Sequence, residues 1–432
     1  MLIALVAAVA LAYGPTSGDV VNPVPPEPKL QNVTIGVIPG TSSSLPTYTF
    51  LTRLAEEDIN KYCVDEGLPY RFRFNITESV EQPEDALRYT KQFLSSGVKV
   101  VLGFAWSSHF CSGARVFGYN KTMVLMSPSA GYSGYALTND TLYRLCTTDF
   151  EPLNVTLRAM SDRGVKAVVA FSVYSDTEYN FQYLIKKRLA PLGIEYYAAV
   201  ATPSLTQDFP VLDVEKFLDR ADAAVAEAIQ RHGANSTAVL FLPNDADPNQ
   251  RWPSEDPNQI GPSIREVVEA AAKRPSLSSV TWYGLEASAR RSAYEAMANG
   301  TAARLGMISS VETFTPTPAY ERVNSLWLAS EPPISTDLHP LNANIYDGLW
   351  VLSLSVVEAN STEPLTLMGV IPGVASGYVG ATGRCTLDNN GDRLGADFDF
   401  YYYAEVDGVT KSVKLGSYGW EADEYTWGGA AK

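Results

Sequence analysis

Short β-branched apolar runs alternate with amphipathic stretches along most of the 432-residue chain. Residues 33–39 (VTIGVIP) read as a buried strand, GTSSS as a loop and 48–62 as a helix of 3.6-residue period. Residues 70–75 (YRFRFN) alternate as a strand does, and 83–96 open acidic and stop at Gly97, as a helix does. Residues 99–104 and 122–126 are buried strands flanking a helix expected at about 109–117. The alternation then restarts. Strands are predicted at 167–172, 195–201, 238–242, 280–284 and 305–312, helices at 178–190, 214–231, 263–273 and 343–358, and a late strand at 396–406. Such alternation predicts an α/β fold: two consecutive sets of parallel strands with helices on both faces, two Rossmann-like lobes.

The N-terminal end departs from this pattern. Residues 1–13 (MLIALVAAVALAY) are apolar, and Ala-Leu-Ala at 10–12 resembles a cleavage site. No Lys or Arg precedes the run, and thirteen helical residues span about 20 Å against a hydrocarbon core of about 30 Å. The segment reads as a signal remnant or as a tail for membrane anchoring or self-assembly. Residues 14–31 are a Pro-rich, semi-rigid linker.

A formal charge of -15 repels phosphate backbones and anionic headgroups, so no nucleic-acid or membrane-surface partner is expected. Eight Asn-x-Ser/Thr sequons, at Asn32, Asn75, Asn120, Asn139, Asn154, Asn235, Asn299 and Asn360, exceed the roughly three that chance supplies and predict a glycosylated extracellular, cell-surface protein. With 27 Pro and 24 Tyr they would suit a heat-adapted archaeal surface. Four separated cysteines, Cys63, Cys111, Cys146 and Cys385, argue for disulfides rather than zinc, with three pairings open.

The three His lack metal-ligand spacing, and no Gly-x-Ser-x-Gly, HExxH or P-loop occurs, so neither an enzyme nor a cofactor is expected. Asp245, Asp247, Asn249 and Asp256 are spaced like a calcium loop, but Gln250 stands at the sharp-turn glycine; Arg393 does the same after Asp388, Asn390 and Asp392.

One constellation does point to chemistry. A zwitterionic solute needs convergent N–H and O–H donors for its carboxylate and an acid for its ammonium. Ser107 and Ser108 lie between a strand end and a predicted helix start, where backbone N–H groups favour anions. Ser129, Ala130 and Gly131 follow the next strand and can complete a cradle. Glu286, at the end of strand 280–284, is the candidate for the ammonium, with Asp245 as its rival. Ser43 and Ser44, in the first loop, line the mouth.

The stretch 100–129 (VVLGFAWSSHFCSGARVFGYNKTMVLMSPS) resembles the branched-chain amino acid-binding proteins of ABC importers, of the type I periplasmic-binding fold. Residues 32–60, YRLCTTD at 143–149, YGLE at 283–286 and GATGRCTLDNNGD at 380–392 resemble that family in order, so the likeness covers about 32–420. It departs at Tyr179-Asn180 and at Gly131, where the family often has Tyr-Gly and a hydroxyl residue, and residues 244–262 look like an insertion or a rebuilt loop. The resemblance implies two lobes joined by a three-strand hinge: 32–147 plus 309–382, and 148–308 plus 383–428. It also implies capture of an amino acid-like small molecule, with Tyr179 packed on it from the second lobe, for an ABC importer permease. Cys146 and Cys385 fall on two implied crossovers and would then pair, leaving Cys63 with Cys111. The competing reading is a structural surface or filament protein assembled through 1–13, its ligand binding vestigial.

Overall fold

The structure, a computed structural model, describes residues 29–135, 137–173, 185–201, 214–242, 263–330 and 337–428. Expectations for 1–28, Tyr179, Asp245, the insertion and most of the helix at 178–190 lie outside the described residues.

Lobe one is built from β1 (Gln31–Ile38), α1 (Leu45–Asp65), β2 (Tyr70–Ile76), α2 (Pro83–Ser95), β3 (Val100–Gly103), β4 (Val124–Ser127) and β5 (Leu142–Arg144). Its strands run parallel in the order β2-β1-β3-β4-β5. Period-two alternation sorts them: Val33, Ile35, Val37, Leu102 and Met126 pack under α1, while Ile38, Val101 and Leu125 face Phe93 of α2. Burying each such side chain stabilises the fold by about 1.5–3 kcal/mol. A Cβ at Gly36 would come 2.8 Å from the Phe93 ring, so glycine sets how closely α2 approaches.

The helix expected after β3 is broken. Two short turns, α3 (Ser107–His109) and α4 (Arg115–Tyr119), flank a π turn at Phe110–Ala114 in which Gly113 takes φ 103°.

Lobe two follows: α5 (Phe150–Asp162), β6 (Ala167–Val173), β7 (Glu195–Ala201), α6 (Val214–His232), β8 (Thr237–Leu242), α7 (Ile264–Ala271), β9 (Thr281–Gly284), α8 (Ser292–Glu295), α9 (Thr301–Arg304) and β10 (Ile308–Thr313). The chain then returns to lobe one with α10 (Pro318–Leu328), α11 (Pro340–Ala359), α12 (Pro364–Met368), α13 (Ile371–Gly377), β11 (Val379–Gly380) and β12 (Gly383–Arg384). It closes with β13 (Asp397–Val406), β14 (Val409–Gly419) and β15 (Glu424–Trp427). The second sheet runs β15-β14-β13-β10-β9-β8-β6-β7, parallel from β10 to β7 and antiparallel beyond.

These pairings move two expected boundaries. β10 bonds to β9 and β13, so the return to lobe one follows Thr313 rather than starting at 309. Cys385 and Leu387 pack in the lobe-one core, so lobe two resumes near Asp397 rather than at 383.

The expected Cys146–Cys385 disulfide is not formed, and the Cys111 side chain lies outside the described residues. Cys63, Cys146 and Cys385 are free and buried. Cys63 packs with the α1 face of the lobe-one sheet. The Cys385 thiol faces the Asp347 carboxylate, 4.0 Å away. Seven of the sequon asparagines are exposed and Asn154 is half-buried. Asn139, Asn299 and Asn360 take φ of 63°, 53° and 46°, the left-handed region that favours Asn.

Candidate ligand-binding cleft

Three crossovers join the lobes: β5 to α5, β10 to α10, and β12 to β13. The first sheet delivers its strand ends to this junction. Gly103 ends β3 at φ 150°, and Phe104 follows at φ 62°. A bulky residue in that region is strained, and strain of this kind clusters where a site needs an unusual turn. Phe104 is held there by stacking on Phe110 at 4.5 Å and by the Ser127 hydroxyl, which donates to its carbonyl at 2.9 Å.

The turn brings the expected hydroxyl loops together. The Ser129 hydroxyl donates to the Ala105 carbonyl at 2.8 Å, and a Cβ at Gly40 would lie 2.6 Å from Ser44 Oγ and 3.0 Å from Ala105. The Tyr132 N–H donates to Ser107 Oγ at 3.1 Å, which leaves the Ser107 proton for another acceptor. Ser43 and Ser108 are exposed. The cradle is narrower than expected. The Ser129 and Ala130 N–H groups donate to Ser127 Oγ at 3.2 and 2.9 Å. Among the described residues only Gly131 of the three keeps an N–H without a partner. With three residues in α3, little macrodipole stands behind Ser107, so its hydroxyl and the Gly131 N–H are the donors that matter.

Gly131 meets the facing wall. Its carbonyl accepts the Asp149 N–H at 2.8 Å, and a Cβ on it would lie 2.6 Å from Asp149 Oδ1. A side chain at 131, hydroxyl included, would have to displace that carboxyl. Burial pushes Asp149 up to about 6, Arg144 pulling it down and Glu286 pushing it up. Glu286 follows β9 and approaches His339, at the start of α11 in the opposite lobe, at 3.6 Å. Its side chain keeps 38% of its surface open to water although protein surrounds it and raises its carboxyl, the position of a group on a cleft wall. Burial, then Arg291 and Arg290, push His339 down to about 4, so it faces Glu286 as a neutral imidazole at pH 7. Glu312, on β10, is also raised by burial, and its carboxylate accepts the Thr147 hydroxyl at 2.7 Å. Ser44, Ser107, Ser129 and Gly131 thus gather at the strand ends of lobe one, Asp149 packs on Gly131 and feels the charge of Glu286, and Glu286 approaches His339.

Asp149, Glu312 and His339 escaped the sequence reading. Asp149 sat within the YRLCTTD stretch and was visible; Glu312 and His339 gain meaning only from what they face. Trp106, 56% exposed directly before Ser107, was equally unmarked. A separate cavity of about 540 Å³ lies on the hinge, lined by Glu312, Asn344, Thr382, Arg393 and Asp397. We take the cleft as the candidate site because donors and acids from both lobes converge there. Among the described residues no cluster of His, Cys, Asp or Glu is placed to hold a metal, and no helix is long and apolar enough to cross a membrane.

Residues 52–405 match the receptor family ligand-binding region. The chain belongs to that family. No curated protein matches it. Solved structures share its fold. An ABC transporter substrate-binding protein from Desulfitobacterium hafniense, in complex with Leu, aligns at 14% identity and TM-score 0.63 over 89% of this chain and all of that one. A leucine-binding protein from Thermotoga maritima aligns at 15% and 0.61, covering 88% and 97%. A solute-binding protein of an ABC transporter from Rhodopseudomonas palustris, in complex with 3,4-dihydroxybenzoic acid, aligns at 12% and 0.62, covering 90% and 97%. The chain therefore has the type I periplasmic-binding fold, and as a member of the receptor ligand-binding family it is a binding protein rather than an enzyme.

Proposed function

We propose that the protein is an exterior receptor that captures an amino acid or similar zwitterionic solute between its lobes and presents it to an ABC importer permease. One observation carries this reading. The Ser107 hydroxyl and Gly131 N–H stand at a junction where Asp149 feels the charge of Glu286, and Glu286 has His339 at 3.6 Å and the charge of Arg291 near it. A ligand ammonium satisfies Glu286 better than His339 does, because a charge-assisted hydrogen bond is about twice as strong as a neutral one. Ser107 and Gly131 then take the carboxylate, Ser44 and Ser129 shape the floor, and Trp106 covers the mouth. The solved relatives with leucine and an aromatic acid bound support a small solute with an acid group. The exposed sequon asparagines and the apolar 1–13 segment support an exterior location.

Ligand closes the lobes by contacting both at once, and only contacts made in the closed state favour it. A thermal-shift screen of the L-amino acids, followed by calorimetry, tests the assignment. At least one is expected to stabilise the protein, and Glu286→Ala is expected to weaken its binding about 10- to 100-fold, the loss of one charged hydrogen bond of about 1.5–3 kcal/mol. If no amino acid, amide or small acid shifts the transition, the proposal fails.

A further inference from the structure

We infer that Arg144 is the positioning residue for the ligand carboxylate, aiming the Gly131 N–H from inside the hinge; the inference rests on the zwitterion reading above. Arg144 ends β5 and is 3% exposed. Its Nε donates to Asp392 Oδ1 at 2.5 Å, in a pair in which Asp392 is 4% exposed. Its Nη1 donates to the carbonyls of Ala130, at 3.1 Å, and Tyr132, at 2.6 Å. One guanidinium thus holds the carbonyls of both residues that neighbour Gly131.

The consequence follows from peptide geometry. In a trans peptide the C=O and the next N–H point in opposite directions. Drawing the Ala130 carbonyl inward onto Arg144 turns the Gly131 N–H outward, and that N–H has no protein partner among the described residues. The Gly131 carbonyl is tied separately to the Asp149 N–H. The loop is therefore preorganised before ligand arrives.

The same residue reaches the third crossover. The Arg144 N–H donates to the Gly391 carbonyl at 2.8 Å, and a Cβ on Gly391 would lie 2.6 Å from the Leu142 carbonyl, so this loop lies against β5 like an added strand. Arg393, next along, donates to the Leu145 carbonyl and to Asn344 Oδ1, spanning the first crossover and α11. Arg144 thus places the anion donor in register with the hinge.

The test separates aiming from mere structural support. Removing Arg144 alone leaves Asp392 buried and unpaired, so Arg144→Met is paired with Asp392→Leu, which removes both charges. Calorimetry compares L-leucine with L-leucinamide, or whichever L-amino acid the wild type binds with its amide, alongside the melting temperature. In the folded double variant we expect amino-acid affinity to fall at least tenfold and the preference for acid over amide to shrink by a similar factor. If stability returns and affinity and preference return with it, Arg144 is structural and the inference is wrong. Should the double variant not fold, Arg144→Lys gives the same readout, since one ammonium cannot hold two carbonyls and a carboxylate in this geometry; unchanged preference there overturns the inference while amino-acid binding stands. A wild type that binds no amino acid overturns both.

Discussion

Single residues show how composition became chemistry. Glycine at 131 leaves room for the Asp149 carboxyl, which fills the space a side chain would take. Ser107 was legible, since a hydroxyl between a strand end and a helical turn is a familiar anion donor. Asp149 was visible in the YRLCTTD stretch, but its role was not, because an acid in a crossover is ordinary until its partner at 131 is known. Its titration carries a prediction. Burial raises its folded pKa to about 6, above the usual carboxylate value near 3.9, so the folded state holds the proton more tightly than the unfolded one. The stability from the protonated form is full below about pH 4 and is lost as pH rises through 6. Asp140 is raised to about 6 with the same sign. Asp149→Asn should therefore raise the melting temperature at pH 7.5 and change it little at pH 4.5; calorimetry of both proteins at the two pH values decides.

Among the elements, the buried parallel strands were the easiest to read, because apolar runs bounded by turns have few alternatives. The helix after β3 was misjudged. Its sequence permits a helix, but Gly113 takes a left-handed conformation and the turn opens to a π geometry that seats Phe110 against Phe104 and Tyr135. The β13–β14 hairpin carried a signal that went unused. Asp407 and Gly408 take φ of 52° and 78°, the two-residue turn that Asp-Gly favours. Helices α5 and α10 were hidden by prolines in their first turns, which suit a helix start but read as breaks. The end of β3 offers an element-scale test. A Cβ on Gly103 would come 2.2 Å from the Ile38 carbonyl oxygen, in backbone that cannot yield cheaply. Gly103→Ala should cost about 1–3 kcal/mol and loosen the loop that carries Phe104, measured by urea unfolding.

At the scale of the whole molecule, the three crossovers are bound to one another by polar groups. Asp347 of α11 accepts the Ala381 and Thr382 N–H groups at 2.7 and 2.8 Å and the Thr382 hydroxyl at 2.6 Å, while Arg393 ties Thr382 to the first crossover. A hinge so cross-linked permits a defined closing motion rather than free swing. Small-angle scattering should show the radius of gyration falling when the wild type is saturated with its solute; at a concentration that saturates the wild type, Glu286→Ala should stay expanded. A wild type whose radius is unaffected by bound solute contradicts closure. Local pattern alone determined the α/β class, the restart into a second lobe and the serines at strand ends, because each depends on neighbours a few residues away. Folding decided the rest. Gly131 lies beside Asp149, Arg144 behind both and His339 across from Glu286 because side chains far apart in the chain compete for the same buried space and hydrogen-bond partners, and no window of sequence records which of them meet.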